Sequence, residues 1–205
     1  MIKKFASLLS ADASNYEFSI KDLEKKGFNG FHFDVMDGHF VKNFAFGPKI
    51  ISSLRKHTKL PFQVHLEIEN PGECVDIFIE AGSDIITLHP QTCRIEKELR
   101  YLRAKNIISS VAIDPDIRIE EVYDYLSLAD NVIVMSVYPG FGNQKFLVEA
   151  LNKIRKLKEK IIGEGLNTTV SIDGGVGSGT EKEIISSGCD ILIYGSSLFN
   201  SSGFS

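Results

Sequence analysis

Short apolar runs alternate with longer stretches of mixed polarity along the whole chain. Eight of these runs are rich in β-branched and aromatic residues and predict strands over residues 4–9, 30–35, 62–68, 84–89, 108–113, 131–137, 168–173 and 190–195. Between them, apolar positions three and four residues apart predict helices over residues 19–27, 48–57, 70–82 and 145–165. The chain is therefore expected to alternate strands with helices.

This alternation favours an α/β fold built from parallel strands with helical crossovers. Eight such units close naturally into a (β/α)8 TIM barrel, and a doubly wound open sheet is the competing arrangement. The count of eight favours the barrel, and we expect one domain over residues 1–205. Residues 196–205 are too few for a full outer helix, so we expect the barrel to lack a complete eighth helix.

Polar residues recur where the predicted strands end, and in TIM barrels that rim carries the active site. These residues are Asp34, His65, His89, Asp114, Ser136 and Asp173. Their recurrence is a second reason to prefer the barrel.

Composition narrows the class of protein. The net charge of −4 gives no basic surface for nucleic acid, and the apolar runs are too short to span a bilayer. Three scattered cysteines without CxxC spacing are typical of a reduced, cytoplasmic protein.

Ionisable residues crowd the stretch FHFDVMDGHF (31–40), although burying them is costly unless they are paired or bound. His32 and Asp34 are two residues apart on a predicted strand, so they share a face. With His65 and Asp173 from other strand ends, they offer two imidazoles and two carboxylates, a ligand set for Zn, Fe(II), Mn or Co. Taken singly, each histidine is more simply explained as a hydrogen-bonded polar residue at a strand end, and the metal site depends on all four residues converging.

Glycine-rich turns follow three predicted strands, as YPGFGN (138–143), DGGVG (173–177) and YGSS (194–197). Glycine lets backbone N–H groups approach an anion closely, and TIM barrels often bind phosphate at the loops after the seventh and eighth strands. Ordinary turn chemistry is the alternative for any one of these loops.

Six motifs, in this order, are similar to those of the ribulose-phosphate 3-epimerase family: SLLSAD (7–12), HFDVMDGHFVKN (32–43), VHLEIENP (64–71), MSVYPGFGNQKF (135–146), SIDGGV (171–176) and GSSLF (195–199). The resemblance implies a metal-dependent isomerase that interconverts D-ribulose 5-phosphate and D-xylulose 5-phosphate. The reaction would move a proton at C3 through a metal-bound enediolate.

The resemblance also implies roles for individual residues. His32, Asp34, His65 and Asp173 would hold one divalent metal ion, and Asp34 and Asp173 would be the acid/base pair. The residues that would contact the phosphorylated ketose are Ser7, His65, Gly140, Phe141, Gly142, Asn143, Gly174, Gly175, Gly195 and Ser196. The resemblance gives Asp37 and His39 no contact with metal or substrate, and we interpret them as supporting the turn after the strand.

The chain departs from the family pattern at several positions. Glu67 stands where the family typically has Met, and we expect it to put a fifth ionisable group beside the metal and to alter specificity or impair activity. Asn143 replaces a glycine, and Asn is the next best residue where φ is positive. Asp114 stands where Asn is usual.

Three other functions stay open. The same chemistry could act on a six-carbon ketose phosphate such as D-allulose 6-phosphate. A lyase on a related barrel would need a lysine at a strand end, and a non-catalytic sugar-phosphate binder would need only the glycine loops. Because the missing helix would have covered the first and eighth strands, we also expect a homo-oligomer.

Overall fold

The computed structural model describes residues 2–199, and in this part of the chain nine strands form one sheet. They are β1 (Lys3–Ser7), β2 (Gly30–Asp37), β3 (Phe44–Ala45), β4 (Phe62–Glu67), β5 (Ile85–Leu88), β6 (Ile108–Ile113), β7 (Asn131–Met135), β8 (Thr169–Asp173) and β9 (Ile191–Tyr194). The helices are α1 (Tyr16–Lys25), α2 (Pro48–Arg55), α3 (Val75–Glu80), α4 (Ile95–Ala104), α5 (Glu149–Gly163), α6 (Glu181–Ser186) and α7 (Ser196–Phe199).

Strand pairing closes the sheet into a barrel. All the strands except β3 pair in parallel with their neighbours, and β1 pairs with both β2 and β9. The predicted (β/α)8 TIM barrel is therefore confirmed, and the open doubly wound sheet is excluded. That residues 1–205 form one domain stays a prediction, which the single closed sheet supports.

The helices follow the prediction less closely than the strands. The segment predicted as a helix over 70–82 is divided into a 3-10 helix, Pro71–Glu73, and α3. Helices α4 and α6 were not predicted, and the crossover between β6 and β7 is a 3-10 helix, Ile119–Tyr125. No helix in residues 2–199 is long and apolar enough to cross a membrane.

Two departures concern the ends of strands. β3 pairs antiparallel with the end of β2 and adds a short flap to the barrel rim. After β9 the described chain forms only α7, and residues 200–205 lie outside the described part. The absence of a full eighth helix therefore stays a prediction.

The inside of the barrel is divided between apolar and polar side chains. One buried apolar cluster consists of Phe5, Ile85, Ile133, Met135, Ile191 and Ile193. A buried polar layer, linked by hydrogen bonds, consists of Gln63, Thr87, Ser110, Asn131 and Ser171. Above this layer lie the polar strand ends that form the candidate site.

Candidate active site

The four residues predicted as metal ligands converge at the carboxyl ends of β2, β4 and β8. One ligand atom from each of His32, Asp34, His65 and Asp173 lies within 4.8 Å of the others. His32 Nε2 is 2.9 Å from Asp34 Oδ1 and 3.5 Å from Asp173 Oδ2. Strand register explains the convergence, because Asp34 is paired directly with His65.

Burial and pairing shift the protonation of this cluster. Burial disfavours the charged form of His32, but Asp34 and Asp173 outweigh it and hold the pKa of His32 well above its usual value. Burial likewise opposes the charge on Asp34, yet the contact with His32 lowers the pKa of that carboxyl. In the metal-free protein, a proton on His32 thus supplies positive charge between two carboxylates.

The geometry around His65 fits a divalent cation. Burial lowers the pKa of His65, which favours the neutral imidazole that metals bind. Its Nδ1 atom lies 3.4 Å from Asp34 Oδ1 and has no hydrogen-bond partner among the described residues. A buried nitrogen without a partner, facing carboxylate oxygens, is what an imidazole ligand needs.

The two carboxylates also line one cleft, which the glycine-rich turns border. Ser7 on β1 donates its hydroxyl to Asp34 Oδ2 at 2.8 Å. The Asp173 side chain is 15% exposed, so it reaches the cleft from the end of β8. Both predicted acid/base groups therefore border the same space.

The predicted substrate residues, except His65, line this cleft. They are Ser7, Gly140, Phe141, Gly142, Asn143, Gly174, Gly175, Gly195 and Ser196. His65 is fully buried and lies outside the cleft lining, so its predicted contact with substrate stays a prediction.

Backbone conformation explains two of the glycine-rich turns. Asn143 has φ +58°, which agrees with the expectation that this position needs a residue tolerant of positive φ. Gly174 has φ +105°, and a Cβ atom added there would lie 2.5 Å from Val137 Cγ2. At Gly195 the nearest atom to an added Cβ would be Ser7 Cβ at 3.9 Å, so that position is open toward the cleft.

Glu67 ends β4 and lines the cleft as a buried carboxyl. Its Oε1 atom is 3.8 Å from His65 Nδ1, and its Oε2 atom has no hydrogen-bond partner among residues 2–199. Burial, followed by the charges of Asp34 and Asp173, raises the pKa of Glu67 well above its usual value. The expected fifth ionisable group beside the four ligands is therefore present.

Sequence reasoning assigned no role to two side chains that contact the ligands, Gln63 and His89, or to Asp114, which contacts His89. Gln63 Oε1 is 3.1 Å from His32 Nδ1, and His89 Nε2 is 2.8 Å from His65 Nε2. Asp114 Oδ1 lies 3.0 Å from His89 Nδ1. The available signal was their place on strand faces and strand ends, which did not reveal what they contact.

Asp37 and His39 have a different role. Asp37 Oδ1 accepts hydrogen bonds from the backbone N–H groups of His39 and Phe40, at 2.8 and 3.2 Å. Asp37 Oδ2 accepts from the N–H of Glu69. These bonds hold the turn after β2, as the sequence predicted for Asp37.

Comparison with known proteins agrees with this geometry. Residues 4–199 match the model of the ribulose-phosphate 3 epimerase family. The chain is 36% identical to ribulose-phosphate 3-epimerase of Bacillus subtilis, over 98% of this chain and 94% of that protein. It is 38% identical to the enzyme of the same name from Rhodobacter capsulatus, over 97% of this chain and 86% of the relative.

Among solved structures, KGPDC from Streptococcus mutans superposes with a TM-score of 0.69 at 15% identity, over 95% of this chain and 88% of that chain. At that identity the likeness concerns the fold alone. The family match and the two relatives carry the assignment: the chain belongs to the ribulose-phosphate 3-epimerase family and is an isomerase.

Proposed function

We propose that the chain interconverts D-ribulose 5-phosphate and D-xylulose 5-phosphate by moving a proton at C3. One observation carries this proposal: Asp34 and Asp173 both lie beside His32 Nε2, at the floor of a cleft rimmed by glycine turns. Epimerisation next to a carbonyl needs one group to remove a proton and a second group to deliver one to the opposite face. Two carboxyl groups bordering one space meet that need.

His32, Asp34, His65 and Asp173 would hold one divalent ion, such as Zn, Fe(II), Mn or Co. When bound, the ion would supply positive charge next to the substrate oxygens on which negative charge develops.

The carboxylates carry the proton transfer. One of them takes the C3 proton onto an oxygen while the C–H electron pair moves toward the neighbouring carbonyl. The other, protonated, returns a proton to C3 from the opposite face, so the proton count balances. Ser7 steadies Asp34 by donating to Oδ2, which leaves Oδ1 toward the ligand cluster.

The glycine turns would surround the phosphate of the sugar. Gly174, Gly175 and Gly195 line the cleft without side chains, which would let phosphate oxygens approach their backbone N–H groups closely. Ser196 adds a hydroxyl at the same rim.

The test is a coupled assay on ribulose 5-phosphate in heavy water with the metal-loaded protein. We expect solvent deuterium at C3, and we expect Asp173→Asn to slow turnover at least ~100-fold, the low end for a lost acid/base group. Asp76→Asn is the matched control, because this carboxylate in α3 bonds Tyr101 in α4, and neither residue lines the cleft. Metal content is measured in each variant, and turnover without label at C3 would contradict the proposal.

A second candidate is the same reaction on a six-carbon ketose phosphate such as D-allulose 6-phosphate. The observation that favours it is Glu67, a cleft-lining residue whose buried Oε2 has no hydrogen-bond partner among the described residues. If the carboxyl only obstructs the site, the protein would be a catalytically impaired sugar-phosphate binder. Comparing kcat/KM on the two ketose phosphates separates these possibilities. A lyase of a related barrel would need a lysine in the site. No lysine lines the cleft in the described part of the chain, so nothing there supports lyase activity.

We further propose that the protein is cytoplasmic and forms a homo-oligomer. Its ligand would be the phosphorylated ketose, and we expect it to bind neither nucleic acid nor a membrane. Three free cysteines support a reducing compartment. Exposed aromatic side chains, with Phe18 at 70% and Phe44 at 79% exposure, support self-association.

A further inference from the structure

We propose that two buried side chains outside the ligand set, Gln63 and His89, determine which ring nitrogen each histidine turns toward the metal. His32 would bind through Nε2 and His65 through Nδ1. This inference rests on the metal site proposed above, and it makes Gln63 and His89 positioning residues.

The Gln63 amide can be oriented from its neighbours. Asn131 Nδ2 lies 3.3 Å from the backbone carbonyl of Thr169, which only accepts, so Asn131 Oδ1 points the other way. Gln63 Nε2 faces that oxygen at 3.4 Å and Thr87 Oγ1 at 3.5 Å. The remaining atom, Gln63 Oε1, therefore faces His32 Nδ1 at 3.1 Å.

An amide oxygen accepts and never donates, so the bond to Gln63 requires a proton on His32 Nδ1. In the neutral ring that proton leaves a lone pair on Nε2. This is the nitrogen that faces Asp34 Oδ1 at 2.9 Å and Asp173 Oδ2 at 3.5 Å. Gln63 thus selects the tautomer of His32 that can bind a cation held by both aspartates.

His65 is arranged the opposite way. Its Nε2 is 2.8 Å from His89 Nε2, so one proton must lie between these two nitrogens. Asp114 Oδ1 lies 3.0 Å from His89 Nδ1, at an ion-pair distance but without the angle of a hydrogen bond. Because a carboxylate attracts an N–H, this contact favours the proton of neutral His89 on Nδ1 and leaves its Nε2 as an acceptor. The shared proton then belongs to His65 Nε2, so His65 Nδ1 keeps its lone pair toward Asp34. Gln91 donates to the other oxygen of Asp114.

Outer hydrogen bonds of this kind orient a ligand ring and strengthen it as a donor, and their loss commonly lowers metal affinity about 10- to 100-fold. Gln63 and His89 are both fully buried. A purely structural role for Gln63 therefore has to be separated from selection of the His32 tautomer.

Two substitutions make that separation. Gln63→Met removes the acceptor toward His32 and leaves an apolar side chain of similar length. Gln63→Glu keeps an acceptor toward His32 but removes the donor toward Asn131 and buries a charge. If Gln63 has only a structural role, Gln63→Glu should be the more harmful change for both stability and metal affinity. If Gln63 selects the tautomer of His32, Gln63→Met should be the more harmful change for metal affinity.

The readouts are Zn²⁺ affinity by chelator competition and the urea unfolding midpoint of the metal-free protein. We expect Gln63→Met to lose about 10- to 100-fold in Zn²⁺ affinity, and Gln63→Glu to lose much less although it unfolds at lower urea. Ser110→Ala is the matched control, because Ser110 Oγ bonds Asn131 at 2.9 Å within the same network and no bond joins it to His32. Equal loss of affinity in Gln63→Met and Ser110→Ala would overturn the inference.

Nitrogen-15 NMR of the Zn²⁺-loaded protein tests the proton positions directly. The ring proton that survives metal binding should lie on Nδ1 in His32 and on Nε2 in His65. Zn²⁺ binding with either position reversed would overturn the inference and leave the proposed metal site standing. Failure of the unmodified protein to bind Zn²⁺ would overturn the metal site and the inference together.

Discussion

Replacing Glu67 with methionine exchanges a buried carboxyl for an apolar side chain of similar length. Glu67 is 2% exposed, and its Oε2 atom has no hydrogen-bond partner in the described structure. A buried polar atom left without a partner costs about 1–3 kcal/mol. Glu67→Met should therefore raise the free energy of unfolding of the metal-free protein by an amount of that order.

The gain should depend on pH, and the sign follows from the raised pKa. Unfolding restores Glu67 to its ordinary pKa of 4.5, whereas in the folded chain burial and the two aspartates hold the pKa well above that value. Between these two values the unfolded chain releases the proton and the folded chain keeps it, so the unmodified protein loses stability as pH rises. The slope is at most about 1.4 kcal/mol per pH unit. The advantage of the variant should therefore be limited to the cost of the unpartnered atom at pH 4.5 and should increase toward neutrality.

The same substitution should change turnover of the metal-loaded protein. A bound cation would favour ionised Glu67, whose Oε1 lies 3.8 Å from His65 Nδ1. In the proposed mechanism the substrate oxygens would carry their developing negative charge beside that same ligand cluster. Like charges about 4 Å apart repel by about 1–4 kcal/mol at the effective dielectrics of a partly wet site. A barrier raised by that amount slows turnover roughly ten- to thousand-fold, so Glu67→Met should raise kcat on ribulose 5-phosphate.

The assays are urea unfolding of the metal-free proteins at pH 5 and pH 8, and kcat at equal metal occupancy on five- and six-carbon ketose phosphates. Glu67→Gln is the matched control, since it removes the charge and keeps the polar group. A stability difference that is the same at both pH values would refute the raised pKa. If Glu67→Met lowers kcat on every substrate, the carboxyl is a working part of the site and the repulsion argument is wrong.

Three further outcomes are expected. Asp34 and Asp173 raise the pKa of His32, so metal must displace a proton from that ring; apparent metal affinity should therefore increase about tenfold per pH unit until that pKa is passed, and a flat profile in chelator competition would contradict this. Gly174→Ala should lower the free energy of unfolding by about 1–3 kcal/mol because of its positive φ and the contact with Val137, whereas Gly195→Ala should fold normally and raise KM for the phosphorylated sugar. Light scattering at micromolar concentration should give a dimer or larger assembly, and a stable monomer would remove the basis for proposing one.

The barrel could be predicted because its strands are buried on both faces and read as apolar runs of similar length. The run at 108–113, for example, coincides with β6. The ligand cluster was also predictable, since alternation along β2 puts His32 and Asp34 on one face and the rim of a barrel brings strand ends together. These inferences need only the local periodicity of each strand and the assumption that the sheet closes into a barrel.

What could not be predicted depends on register and on the radius of the barrel. The contact between His65 and His89 joins two neighbouring strands, and no sequence pattern gives the 2.8 Å separation of their Nε2 atoms. In the sequence Gln63 resembles any polar residue on a strand. The orientation of its amide depends on a contact with Asn131, which lies far along the chain. The 3-10 helix at Ile119–Tyr125 was not predicted for a different reason, because the spacing of apolar residues does not distinguish it from an irregular loop.

The closure of the barrel through β1 has a consequence for synthesis of the chain. β1 can pair with β2 soon after both leave the ribosome, but its other edge has no partner until β9 is made. An unpaired strand edge is a template for aggregation, and lysine on the edge is one of the devices that prevent it. β1 begins with Lys3 and Lys4, both exposed in the closed barrel. The strand that waits longest for its second neighbour therefore carries the kind of positive charge that opposes pairing between the edges of separate chains.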